Sequence, residues 1–200
     1  MKSFLRHVLA PAITLLVALT VITGVIYPAA VTLVAQVAFP TQANGSLITV
    51  DGKTVGSSLI GQAFDQPKYF WGRPSDAGVT ASNPGGYDGT SSAGSNLGPT
   101  SSALIDAVTA QVDRLRAANG NAPIPVDLVT ASASGLDPDI SPAAADYQVA
   151  RVASARGMTP DAVRAAVARH TTQPLFGFIG EPIVNVLELN LDLDGLLTPK

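Results

Sequence analysis

The chain has 200 residues, a formal charge of −3 and no cysteine. That length allows one or two domains. The small net charge argues against a nucleic-acid partner, and the missing cysteine excludes disulfides, thiolate metal sites and a cysteine nucleophile.

The placement of charge says more than its sum. Lys2 and Arg6 are the only Lys or Arg residues before Lys53, and the first acid is Asp51. Residues 8–27 (VLAPAITLLVALTVITGVIY) supply the roughly 20 apolar residues that cross a bilayer. Pro28 follows and is expected to close the helix, because its ring clashes with the preceding turn. A cleaved signal peptide has an apolar core of only about 7–15 residues. This run is longer and ends on the bulky Tyr27, so a retained anchor is the preferred reading. Lys2 and Arg6 hold the N-terminus in the cytoplasm by the positive-inside rule. Residues 1–28 are therefore read as cytoplasmic N-terminus and transmembrane anchor, and residues 29–200 as one extracytoplasmic domain. Thr20, Thr23, Gly24 and Tyr27 share a helical face. Small and hydroxyl residues let membrane helices approach closely, which makes them candidates for partner binding, although such residues are also simply tolerated there.

Residues 29–39 remain apolar and read as a second helical piece near the membrane surface, closed by Pro40. Asp51-Gly52 then separates two short β-favouring runs. Type I′ turns need positive φ at both central residues, so a hairpin of 46–50 with 53–58 is expected. Residues 65–100 are rich in Gly, Ser, Pro and Asn, and long irregular segments of this kind usually carry function or disorder. Their apolar anchors Tyr69, Phe70 and Trp71 predict docking onto the chain's own core, the bilayer or a partner. Leu104, Ile105, Val108, Val112 and Leu115 recur at helical spacing, and Gly120 stops that helix. Residues 126–131 read as extended. Ser141-Pro142 has the form of an N-cap with proline at the first helical position, and Gly157 ends the helix. Thr159-Pro160-Asp161 repeats the start signal for a helix reaching His170. Residues 187–194 alternate imperfectly and read as a strand, with a short helix as the alternative. The fold class is α+β.

Chemistry is sparse. His7 lies at the membrane boundary, and His170 suits the negative end of a helix dipole. A triad using His170 would need a distant serine, and there is no G-x-S-x-G elbow to present one. Asp137/Asp139 and Asp192/Asp194 lack the spacing of a calcium loop, and the first pair reads as a turn ahead of Ser141. No P-loop occurs. The residues point to a non-enzyme with no metal and no firmly bound cofactor.

Several segments together go further: QANGSL (42–47), GSSLIGQAF (56–64), YFWGRPS (69–75), GSNLGPT (94–100), VDLVTASASGLDPDISPAAADYQVARVASARG (126–157) and GEPIVNVLELNLDLD (180–194). In order and over the whole length, they resemble the C subunit of the Kdp-type potassium-transporting P-type ATPase of bacteria. The resemblance implies a non-catalytic accessory subunit in the bacterial inner membrane. Its implied partners are a potassium-conducting subunit, a P-type subunit that hydrolyses ATP, and a small stabilising peptide. Potassium would be the transported ion, and ATP would be bound through the pump subunit. The C subunit is described as needed for assembly and as a catalytic chaperone that raises the pump's ATP affinity. The family glutamine proposed for nucleotide contact corresponds to Gln148. From the residues alone, Gln148 reads instead as a polar position on an amphipathic helix, across the membrane from cytoplasmic ATP. The extracytoplasmic domain would then sit over the potassium entrance of the conducting subunit, bracing that subunit or gating access to its selectivity filter. The alternative to a subunit is a free-standing anchored protein that captures a ligand through residues 69–100.

Overall fold

The computed structural model describes residues 4–197. Lys2, one of the two charges used to orient the anchor, lies outside the described residues. The chain divides into two compact units, Met1–Leu47 and Ile48–Lys200.

The first unit is dominated by one apolar helix, α1 (Arg6–Ala38), whose 33 residues bury none of their most apolar window. At 1.5 Å per residue it is about 50 Å long, enough to cross a hydrocarbon core of about 30 Å. Pro28 does not close it, contrary to expectation, and the apolar residues after Pro28 continue the same helix instead of forming a separate piece. The backbone explains why. The turn before Pro28, Ile22–Ile26, is π-helical, and the Tyr27 N–H donates to the Ile22 carbonyl. Widening that turn relieves the clash of the proline ring with the carbonyl four residues back, at Gly24. Pro11 is preceded in the same way by the π-helical turn Leu5–Leu9. The helix ends at Phe39, and a single helical turn, Pro40–Ala43, follows.

The second unit opens with the hairpin β1 (Leu47–Val50) and β2 (Lys53–Ser57). Asp51 and Gly52 have φ of 50° and 75°, as the type I′ reading requires. Residues 65–100 contain neither helix nor regular strand. Helix α2 (Ser102–Asn119) ends at Gly120, but of its expected apolar stripe only Leu115 is buried, while Ile105 is exposed. Residues 126–131 are not extended. Val126–Leu128 form a 3₁₀ turn with Leu128 N–H donating to the Pro125 carbonyl, and this puts the Leu128 side chain in the core.

Helix α3 (Pro142–Arg156) is the centre of the unit. Ser141 caps it by accepting from Ala144 N–H at 3.1 Å, and Gly157 closes it at φ 64°. Its buried residues fall into two adjacent rows, Ala144–Gln148–Val152 and Ala145–Val149–Ala153. A fully buried valine such as Val152 contributes about 1.5–3 kcal/mol relative to exposure. Helix α4 (Pro160–Arg169) starts on Thr159, whose hydroxyl accepts from Ala162 N–H. Three short antiparallel strands, β3 (Asp139–Ile140), β4 (Thr171–Thr172) and β5 (Ile183–Asn185), pair in the order β3-β5-β4. Residues 187–194 were expected to be a strand and are instead mostly helix α5 (Val186–Leu193). Asn185 caps it by accepting from Glu188 N–H at 3.0 Å, a start signal that outweighs the alternating leucines. The core gathers Phe70, Leu115, Leu128, Val149, Val163, Val184 and Leu189.

Candidate functional site

Two side-chain amides stand inside this apolar core. Gln148, in the middle of a buried row of α3, is 0% exposed, and Asn190 on α5 is 1% exposed. A buried amide is costly unless its donors and acceptors are met. Both are met by the same stretch of chain. The Trp71 N–H donates to Gln148 Oε1 at 2.9 Å, and Gln148 Nε2 donates to the Trp71 carbonyl at 3.1 Å. The Phe70 N–H donates to Asn190 Oδ1 at 2.8 Å, and Asn190 Nδ2 returns to the Phe70 carbonyl at 3.0 Å. Gln148 completes its set by donating to the Ala144 carbonyl and accepting from Arg151 Nη2 at 2.6 Å.

Arg151, one turn along α3, extends the grip. Its Nη1 donates to the Pro67 and Tyr69 carbonyls and its Nε to Asn119 Oδ1. Its guanidinium carbon lies 4.1 Å from the Trp71 ring centroid, and that of Arg114 lies 4.4 Å from it. Burial, and then the neighbouring charge of Arg114, lower the Arg151 pKa to about 10. Arg156 donates to the Lys68 carbonyl, and the Trp71 indole N–H donates to that of Gln66. Every carbonyl in residues 66–71 thus accepts a side-chain hydrogen bond. An irregular segment without a strand partner has its carbonyls met by side chains here, and the Tyr69 N–H turns back to the Gln66 carbonyl.

The continuation is tied down similarly. Arg73 pairs with Asp137 at 3.0 Å and reaches the Thr130 and Ala131 carbonyls. The Tyr87 hydroxyl donates to the Arg73 carbonyl, and burial, followed by the charge of Asp137, pushes its pKa up to about 12. Between this loop and α2 lies a cavity of about 470 Å³, lined among others by Phe64, Trp71, Arg73, Tyr87, Gln111 and Arg114.

The remaining candidates are scattered. Thr20, Thr23, Gly24 and Tyr27 are exposed on α1, and the Thr23 hydroxyl donates back to the Leu19 carbonyl. Tyr69 is half-buried, its hydroxyl on Asp194, whereas Phe70 and Trp71 belong to the core. Docking of this aromatic triplet is therefore mainly internal: Phe70 is fully buried, and Trp71 keeps 7% exposure, on the wall of that cavity. Gln148 likewise has neither exposed surface nor an unused donor. His170 faces Asp192 at 3.0 Å and Glu188 at 3.8 Å, and among the described residues no serine hydroxyl is bonded to it. Asp137 caps the turn to Asp139, while Asp192 and Asp194 serve different arginines, Arg169 and Arg156. Among the described residues no His, Asp and Glu cluster could hold a metal ion. The Asn190 half of the clamp was not anticipated. Its signal was present, a polar residue flanked by leucines in a run otherwise built for burial.

Comparison with known proteins agrees with the resemblance. Residues 9–195 match the model of the family described as K+-transporting ATPase, c chain. A potassium-transporting ATPase KdpC subunit of Sorangium cellulosum is 61% identical over 189 residues, 94% of this chain and 97% of the relative. Subunits of the same name from Variovorax paradoxus and Herpetosiphon aurantiacus are 59% and 56% identical, covering 95% and 97% of this chain and 97% of each relative. A family model spanning nearly the whole chain and relatives this similar leave one assignment: the chain belongs to the family of the K+-transporting ATPase c chain.

Proposed function

We propose that this chain is the non-catalytic accessory subunit of an ATP-driven potassium uptake complex. Helix α1 anchors it as a single span of the cell membrane, with its N-terminus cytoplasmic and the Ile48–Lys200 unit outside. Its partners are a potassium-conducting subunit and an ATP-hydrolysing P-type subunit, with a small peptide stabilising the assembly. The folded unit braces the potassium entrance of the conducting subunit, and any rise it produces in the pump's ATP affinity is coupling between distant sites rather than nucleotide contact.

The family match supports the subunit reading, and Gln148 supports indirect coupling over nucleotide contact. The residue expected to touch nucleotide is buried, and its amide is spent on Trp71, Ala144 and Arg151. A rigid, side-chain-stapled domain suits a brace. Mild detergent purification of the tagged chain from potassium-starved cells, followed by mass spectrometry, tests the assembly. Recovery with a multi-spanning subunit and a P-type ATPase in equal amounts is expected, and recovery of the chain alone contradicts it. The cavity beside Trp71 supports a second reading, an anchored ligand-binding protein. That protein would be stable and functional without any membrane partner.

A further inference from the structure

Cavities that hold small molecules measure about 300–1,000 Å³ and combine apolar walls with a few polar groups that fix orientation. The cavity of about 470 Å³ beside α2 has this composition. Phe64, Trp71 and Tyr87 give it ring surface, and Arg73 and Arg114 give it charge.

The two arginines are not equivalent. Arg73 is spent on Asp137 at 3.0 Å and on the carbonyls of Thr130 and Ala131. Arg114 is stacked 4.4 Å from the Trp71 ring centroid, and among the described residues no carbonyl or carboxylate accepts a hydrogen bond from it. Stacking holds the guanidinium without using its N–H fork, whose planar geometry matches the two oxygens of a carboxylate. Arg151, 4.1 Å from the same ring, has only amide and backbone oxygens as partners. Two cations therefore share Trp71 with no carboxylate paired to either among the described residues. After burial, the charge of Arg114 is what lowers the Arg151 pKa, as expected of positive charge that nothing neutralises.

The remaining charge on the lining narrows the ligand. Asp65 is exposed and pairs with neither arginine. It repels a polyanion such as phosphate more strongly than a single carboxylate.

We propose that this cavity binds a small monocarboxylate with an apolar body, its carboxylate on the Arg114 fork and its hydrocarbon part against Phe64, Trp71 and Tyr87. The inference goes beyond the accessory-subunit reading and does not rest on it, because every group used belongs to this chain.

Trp71 is the only tryptophan, so its fluorescence reports binding directly. The full-length chain in detergent is titrated at constant ionic strength with cyclohexanecarboxylate, with its neutral isostere cyclohexanecarboxamide and with inorganic phosphate. A saturable change is expected with the carboxylate, and about tenfold or more weaker binding of the other two. Arg114→Gln, a change at an exposed position, should weaken carboxylate binding by a similar factor, whereas Arg116→Gln, exposed on the same helix but away from the cavity, should not. No saturable change with the carboxylate overturns the site, as does equal binding of the amide or equal weakening by the two variants. Tighter binding of phosphate overturns the carboxylate assignment. None of these outcomes bears on recovery of the chain with other subunits, which tests the subunit reading separately.

Discussion

Gln148 and Asn190 lie on different helices and grip consecutive residues in the same way, each pairing with both the N–H and the carbonyl of one backbone residue, Trp71 and Phe70 respectively. Each amide takes the place of a neighbouring strand. Phe70 and Trp71 can therefore be buried without a sheet, and the irregular loop acquires a fixed position against α3 and α5.

Truncating either amide strands two backbone groups in the core. Unmet buried groups cost about 1–3 kcal/mol each. Gln148→Ala and Asn190→Ala are expected to destabilise the folded unit by about 2–4 kcal/mol. Thermal unfolding of the full-length chain in detergent, followed by circular dichroism, measures this. A loss below about 0.5 kcal/mol, as for an ordinary surface change, would show that the pairing is incidental.

Arg151 is not replaceable by lysine. Its fork serves Gln148, Asn119 and two carbonyls at once, and a single ammonium cannot reproduce that geometry. Trp71 is the only tryptophan, so its fluorescence reports on this site alone. Arg151→Lys and Arg151→Ala should both shift the emission to the red and increase quenching by acrylamide. Spectra identical to those of the unaltered chain would contradict the assignment.

Two carboxylates should titrate with opposite signs. Burial raises the pKa of Asp192, but hydrogen bonds and charge from Arg169 and His170 outweigh it, leaving a lowered value. Its contribution is full above the ordinary carboxylate value of about 3.9 and is lost as pH falls through the lower folded value. For Asp139, burial first and then Asp137 raise the pKa, so its ionisation at neutral pH opposes folding. Asp192→Asn should lower Tm at pH 7 and have a shrinking effect toward acid. Asp139→Asn should leave Tm at pH 7 equal or higher, with the difference also vanishing in acid. Tm profiles of the three chains against pH decide both, and a marked loss in Asp139→Asn at pH 7 would refute the second.

On α1, no atom other than the adjoining residues and the helix's own backbone lies within 4 Å of where a Cβ on Gly24 would stand. Gly24→Leu therefore meets no obstacle within this chain. Its expected effect is loss of co-purification with the other subunits at unchanged expression. Full retention would remove the Thr20–Thr23–Gly24–Tyr27 face from consideration as a contact.

Much of this architecture could be read locally. Ser141 and Thr159 announce their helices because cap chemistry involves only the next few residues, and Asp51-Gly52 announces its turn for the same reason. Expectation and structure part where two local rules compete. Pro28 normally ends a helix, but a π-helical turn absorbs its ring. The leucines of 187–193 alternate as in a strand, yet the Asn185 cap starts a helix there. The clamp is a different matter. Gln148 and Trp71 are 77 residues apart, and Asn190 and Phe70 are 120 apart. A polar residue in a buried row signals that a partner exists, but tertiary packing alone decides which one.

The most direct test is the ATP dependence of potassium-stimulated hydrolysis by complexes carrying Gln148→Ala or Asn190→Ala, compared at equal occupancy of this chain. Only Gln148 is implicated in nucleotide contact, whereas both residues hold the same segment. If Gln148 is a structural clamp, the two variants change KM for ATP together, by amounts that follow their loss of stability. A rise in KM confined to Gln148→Ala, with Asn190→Ala equally destabilised but unchanged in KM, would contradict the clamp and return Gln148 to the nucleotide.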